Sequence, residues 1–237
     1  MEAEAIVAGS AGPGVLLYMD AIGLRPELAW MTERIAAWGY VVMAPNVFYR
    51  AGSVAALAPT RDLREPGAAA EFFTTRAMAR VRALTPDRLA VDAPRYLDAL
   101  AARPGVSEPF GVVGYCMGAR LAVRTAALAP TLIAACAGFH GGGLVTDDPA
   151  SPHRLVDEAR AEFLFGHADG DRSLTPQHAK ELDESLAAAG RRFASAIYPE
   201  ARHGFTMPDL DAYQEAGAER SLVELRALFD RVLRGDR

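Results

Sequence analysis

The chain has 237 residues, 51% of them hydrophobic, and a formal net charge of -5. That length and apolar content suffice for one sizeable core, and single α/β domains commonly reach this size. The acidic balance, with arginines interspersed among acids, argues against a nucleic-acid partner.

No apolar run approaches the ~20 residues needed to span a bilayer, and the acidic start Met1-Glu-Ala-Glu lacks the basic opening of a signal peptide. A cytoplasmic protein without a membrane partner is expected. Cys116 and Cys136 are both read as thiols, because a disulfide is unusual in a reducing compartment.

In chain order, Gly9 to Gly14 is turn-rich and Val15 to Met19 reads as a buried strand ending at Asp20. Pro26 opens a helix whose apolar residues Leu28, Met31, Ile35 and Trp38 recur at helical spacing until Gly39. Tyr40 to Ala44 is the next strand. Continuous apolar strands separated by helices predict a parallel sheet covered on both faces. Ahead of them only Glu4-Ala-Ile-Val-Ala8 has strand character, so the N-terminal strands are short.

From Asn46 to Pro109 no strand is expected; two helical patterns, about 68–84 and 86–102, cross the sheet. Phe110-Gly-Val-Val-Gly-Tyr-Cys-Met-Gly-Ala119 then combines a strand, a tight turn and a helix start. This is the pattern of a nucleophile elbow, with Cys116 raised above the sheet and Gly114 and Gly118 where a Cβ would collide with the neighbouring elements. A helix to about Ala129, a strand from Leu132 to Ala137 and the loop Gly138-Phe-His-Gly-Gly-Gly143 follow. The strand Ala161 to Phe165 leads into Gly166-His-Ala-Asp-Gly-Asp171. A helix runs from Thr175 to Gly190, a last strand from Phe193 to Tyr198, and a final helix from about Tyr213 to Leu233. The whole is read as a single domain, 1–237, with a mostly parallel sheet, and as a monomer or small homo-oligomer.

A strand-end Cys, strand-end Asp residues and a loop His follow the chain order nucleophile, acid, base. A thiolate is the attacking form of Cys, an imidazole can take and return its proton near neutral pH, and a carboxylate fixes the imidazole tautomer. Cys116, His203 and either Asp169 or Asp171 can fill those roles. Cys136 lacks a Gly frame and reads as core. His140, in the Gly-rich loop, is a further candidate for lining the site, whereas His153, His167 and His178 read as solvated or helix-end residues.

Gly114-Tyr-Cys-Met-Gly118, Tyr198-Pro-x-Ala-x-His-Gly-Phe205 and Met19-Asp-Ala-Ile-Gly-Leu24 together resemble the dienelactone hydrolase family, from about Val15 onward. The resemblance implies one α/β-hydrolase domain and a Cys-His-Asp triad that opens lactones or cleaves carboxylic esters without a cofactor or metal. It implies Cys116 as nucleophile and His203 as base. Laying residues 165–171 on the family's strand-end pattern without gaps selects Asp171 as the acid, while the Gly-x-x-Asp spacing selects Asp169; Asp171 is preferred. The amides of Ala21 and Met117 would form the oxyanion hole, and Asp20 falls where the family has a Glu that gates the thiol. Where members acting on carboxylated dienelactones carry an Arg after the His, this chain has Met207. Arg76, Arg80 or Arg82 would then be the compensating cation.

Two other readings compete. A dinucleotide-binding module is disfavoured because Gly111 to Gly118 lacks the G-x-G-x-x-G spacing and no acid stands about 20 residues further on. A redox-reactive thiol protein or an idle α/β scaffold would keep the elbow but turn over no ester.

Overall fold

The computed structural model describes residues 3–235; Met1 and Glu2 of the acidic start lie outside them. Seven strands form one sheet in the order β1-β3-β2-β4-β5-β6-β7. They are β1 (Ala5–Ala8), β2 (Gly12–Tyr18), β3 (Val41–Pro45), β4 (Val106–Tyr115), β5 (Ile133–Phe139), β6 (Glu162–Ala168) and β7 (Phe193–Tyr198). Only the short β1 runs antiparallel, against β3; every other pairing is parallel. This is the mostly parallel sheet expected from the continuous apolar runs.

Helices cover both faces. Gly111 of β4 faces Phe229 of α8 (Glu215–Leu233), whereas Gly138 of β5 faces Ala119 of α6 (Met117–Leu128). On the α8 side lies α1 (Pro26–Ala36), bonded to it through Arg34 and Glu219. The remaining helices are α2 (Val54–Leu57), α3 (Ala68–Phe72), α4 (Met78–Ala83), α5 (Pro86–Ala101) and α7 (Pro176–Ala188). Among the described residues no helix is long and apolar enough to cross a membrane.

Four expectations need correction. β4 starts at Val106, inside the segment read as strandless, because Gly12 and Pro13 of β2 pair with Val106 and Ser107 at a partly exposed end of the sheet where a Gly/Pro run is tolerated. For the same reason β2 begins at Gly12. The helix read at 68–84 is interrupted by a π-helical turn over Phe73–Ala77. Finally, His167 is not solvated: it is buried within β6, its Nε2 3.1 Å from Ser195 Oγ, and burial pushes its pKa down to about 4.

The sheet changes winding direction between β2 and β4, with β3 on one side and β5 on the other. Loops leaving the carboxyl ends of strands on either side of such a switch diverge and open a crevice. Asp20 and Ala21 follow β2, Cys116 follows β4, His140 follows β5, Asp171 follows β6 and His203 follows β7. All belong to one rim.

Candidate active site

Cys116 stands between β4 and α6 with φ 54° and ψ -119°, a conformation that side chains other than Gly rarely adopt. The turn is locked by its surroundings. The Cys116 amide donates to Phe139 O at 3.1 Å, and its carbonyl accepts from Ala119 and Gly142, each at 3.2 Å. A Cβ on Gly114 would lie 2.0 Å from Gly118 O, and one on Gly118 would lie 2.5 Å from Tyr18 O. The glycines two residues either side of the thiol therefore let strand, turn and helix approach closely.

His203 Nδ1 lies 2.6 Å from Asp171 Oδ2. Ser173 secures the same carboxylate, donating from its hydroxyl to Oδ1 at 2.7 Å and from its amide at 2.8 Å, and its Oγ stands 3.2 Å from His203 Nδ1. Asp169 has a different task. Its Oδ2 accepts from the Glu200 amide at 3.0 Å and its own amide donates to Ala201 O at 2.7 Å, tying the loop after β6 to the loop that carries His203.

With Nδ1 engaged by Asp171, the imidazole shares the cavity with Cys116. Burial opposes the imidazolium, but the charge of Cys116 and the Asp171 hydrogen bond outweigh it and raise the His203 pKa to about 11. Burial likewise opposes the Asp171 carboxylate, yet its bonds to His203 and Ser173 hold it below the usual range. The imidazolium of His203 and the carboxylate of Asp171 thus stabilise one another.

Asp20 is placed otherwise than the sequence suggests. Its carboxylate is held by Arg25, Nη1 to Oδ1 at 2.7 Å and Nη2 to Oδ2 at 2.9 Å, and by the Ile22 and Gly23 amides at 3.0 and 3.3 Å. A buried carboxylate takes the nearest full charge, and Arg25, five residues on at the start of α1, supplies it. Asp20 reaches the cavity wall as an anchor of the Ala21 loop.

The carbonyls of that loop are bound from the other side by Arg80, whose Nη2 donates to Ile22 O at 2.8 Å and Ala21 O at 3.3 Å. Its guanidinium also lies over the rings of Phe48 and Phe72. Ala21 and Met117 face a common cavity of about 590 Å³ with Cys116 and His203, and the Met117 amide opens α6, where no intrahelical acceptor exists.

The expected compensating cations lie elsewhere. Arg76 lines a separate groove with Pro59 and Thr60, Arg80 is committed to the Ala21 loop, Arg82 borders a neighbouring cleft, and Met207 is fully buried. The guanidiniums on the cavity wall are Arg120 and Arg172. Arg120 was legible as the residue four after Cys116, one helical turn on along the same face. Ser173 carries only a faint signal, a hydroxyl two residues after Asp171.

His140 also belongs to the site. Its Nε2 stands 2.8 Å from Thr206 Oγ1 and its ring meets that of His203 edge-on, with centroids 5.2 Å apart. Burial, with the His203 charge added, pushes its pKa well below the ordinary value, so it packs as a neutral ring. Cys136 is fully buried in β5, and burial raises its thiol pKa, so it is inert core. Among the described residues no three His, Cys, Asp or Glu side chains converge as a metal site.

The sequence profile of the dienelactone hydrolase family matches residues 3–233. The chain belongs to the dienelactone hydrolase family. A carboxymethylenebutenolidase of Rhodococcus opacus is 28% identical over 197 residues, which span 82% of this chain and 71% of that protein. Among solved structures, a protein named m3DLH superposes with a TM-score of 0.76 at 23% identity, covering 95% of this chain and 89% of its own. A promiscuous dienelactone hydrolase-like phosphotriesterase from metagenomic libraries gives 0.70 at 21% identity, with the same 95% and 89% coverage. The structural likenesses establish the α/β-hydrolase fold, and the family makes the chain a hydrolase.

Proposed function

We propose that this dienelactone hydrolase relative is a single-domain enzyme that opens a lactone or cleaves a carboxylic ester through Cys116, His203 and Asp171. The observation that carries the reading is the chain of contacts from the strained Cys116 to His203 and on to Asp171 Oδ2 at 2.6 Å.

The Cys116 thiolate attacks the carbonyl carbon. The resulting oxyanion accepts hydrogen bonds from the Ala21 and Met117 amides, a contribution worth roughly 10²–10³ in rate per donor in other hydrolases. Collapse breaks the ester C–O bond, and the imidazolium of His203 gives its proton to the departing oxygen, leaving a thioester on Cys116. Neutral His203 then takes a proton from water as the water oxygen attacks the thioester. Collapse of the second intermediate releases the acid and restores the thiolate beside the imidazolium. Asp171 stays ionised throughout and holds His203 in the tautomer that presents Nε2 to the reacting atoms. Asp20 and Arg25 fix the loop that offers the Ala21 amide.

The test is turnover of a panel of lactones and aryl esters by Cys116→Ala. A loss of about 10³-fold or more in kcat is expected, and wild-type rates would overturn the assignment.

A further inference from the structure

A second cleft, of about 380 Å³, runs beside the catalytic cavity along α6 and shares Met78, Val81, Arg120 and Gly143 with it. Arg82 of α4 and Arg120 and Arg124 of α6 line it. Arg120 and Arg124 follow Cys116 by four and eight residues, so thiol and guanidiniums lie on one stripe of the helix.

The two α6 guanidiniums are half-buried like charges at a spacing that makes them repel. On α1 and α8, by contrast, Arg34 meets Glu219 and Arg220 meets Glu224. Among the described residues, Arg82, Arg120 and Arg124 form no ion pair. Arg120 donates to Val81 O at 3.5 Å and Arg124 to Ala150 O. Asp148 is the carboxylate on the cleft wall, and its charge favours the Arg124 cation only weakly against burial and the repulsion from Arg120. Gly143 passes beside the Arg120 guanidinium, where a Cβ would stand 3.5 Å from Nη1. Such an uncompensated cluster suits a bound oxyanion.

We propose that this cleft is an anion-binding annex, and that the substrate of Cys116 carries a carboxylate or phosphate on an arm reaching along α6 to Arg120 and Arg124. The inference rests on the reading of Cys116 as nucleophile for what it says of the substrate. At a rise of ~1.5 Å per residue, the two arginines start about 6 and 12 Å along the axis from the thiol. Arg120 borders both spaces, whereas Arg124 lines the annex and not the catalytic cavity, so an arm that reaches Arg124 is several bonds long.

Two measurements judge the annex. In the first, Cys116→Ala protein is titrated with inorganic phosphate and with glutarate, following amide chemical shifts. Saturable binding that weakens about tenfold or more in Arg120→Gln/Arg124→Gln is expected, as losing a charge-assisted hydrogen bond implies. No saturable binding of either anion, or binding indifferent to the substitutions, overturns the annex. Phosphate without glutarate, or the reverse, identifies the group on the arm.

In the second, kcat/KM is compared between a neutral p-nitrophenyl alkanoate and the same ester ending in a carboxylate or phosphate. The native enzyme should favour an anionic ester by about tenfold, and Arg124→Gln should bring the ratio to near unity. The ratio cancels any general loss from misfolding, and equal rates in the native enzyme overturn the proposal. Wild-type turnover by Cys116→Ala would instead sink the nucleophile assignment, leaving the annex to be decided by the titration.

Discussion

Arg25 clasps both carboxylate oxygens of Asp20, at 2.7 and 2.9 Å, and reaches Asp209 through Nε at 2.5 Å. Both members of the pair are buried, their side chains only 3% and 5% exposed. Asp20 is thereby neutralised in place and joined, through Arg25, to the loop after His203. Removing one partner of such a pair costs about 3–5 kcal/mol. Asp20→Ala should lower unfolding free energy in urea by that amount and reduce kcat by loosening the Ala21 amide. Iodoacetamide labelling of Cys116 should stay within a few-fold of wild type; a rise of an order of magnitude would restore the thiol-gating role.

His203 keeps its proton across the neutral range. Its pKa is raised to about 11, so the imidazolium persists below that pH and is lost only as pH climbs through it. The imidazole 15N chemical shifts of His203 should accordingly be nearly flat from pH 6 to 8. In Asp171→Asn, which takes away a partner of the cation, the titration should move down towards the ordinary His value of about 6.5. A steep wild-type titration over the same range would refute the raised pKa. Cys136, buried with a raised pKa, should remain unlabelled throughout the native protein.

The two aspartates after β6 should separate cleanly. Asp171→Asn keeps the shape but presents a donor to His203 Nδ1, favouring the wrong tautomer, and a loss of up to about 10⁴-fold in kcat is expected. Asp169→Asn removes the acceptor charge facing the Glu200 amide, away from the imidazole, and should cost less than tenfold. Steady-state kinetics of both variants on one ester decides between them.

Space around the elbow makes a stability prediction. In Gly118→Ala the new Cβ would meet Tyr18 O at 2.5 Å and Met19 O at 2.7 Å, both backbone atoms of a buried strand end. A drop of about 3 kcal/mol or more is expected. Gly142→Ala, whose Cβ would find Ser173 Oγ at 3.4 Å, should fold with a melting temperature near wild type. Thermal unfolding of the pair gives the comparison.

Most of the sheet was readable because its strands are short apolar runs set off by Gly and Pro, and the elbow because its glycines stand at fixed offsets from Cys116. Strand ends were the weak point: Gly12 and Pro109 look like turn residues, yet they occupy a partly exposed part of the sheet where a missing donor or side chain matters little. The partners of charged residues were harder still. Sequence places Asp20 next to the nucleophile's loop, but only the fold brings Asp209 to Arg25 and so completes the buried pair. Arg80 looked like a substrate cation until the carbonyls of Ala21 and Ile22 appeared against it, 58 or more residues away in the chain.

The π-helical turn at 73–77 gives the family chemistry an adjustable wall. Phe73, the first residue of that turn, and Met78 and Val81 beyond it all face the cavity, while Arg80, between those two, braces the Ala21 loop. Such a turn holds one residue more than an α-helix needs. Deleting a single residue there would restore regular winding while leaving the residues beyond it on the faces they now hold. One codon's worth of length thus reshapes the wall near Phe73 without disturbing the brace that Arg80 gives the loop beside the thiol, a change no point substitution at the triad could produce.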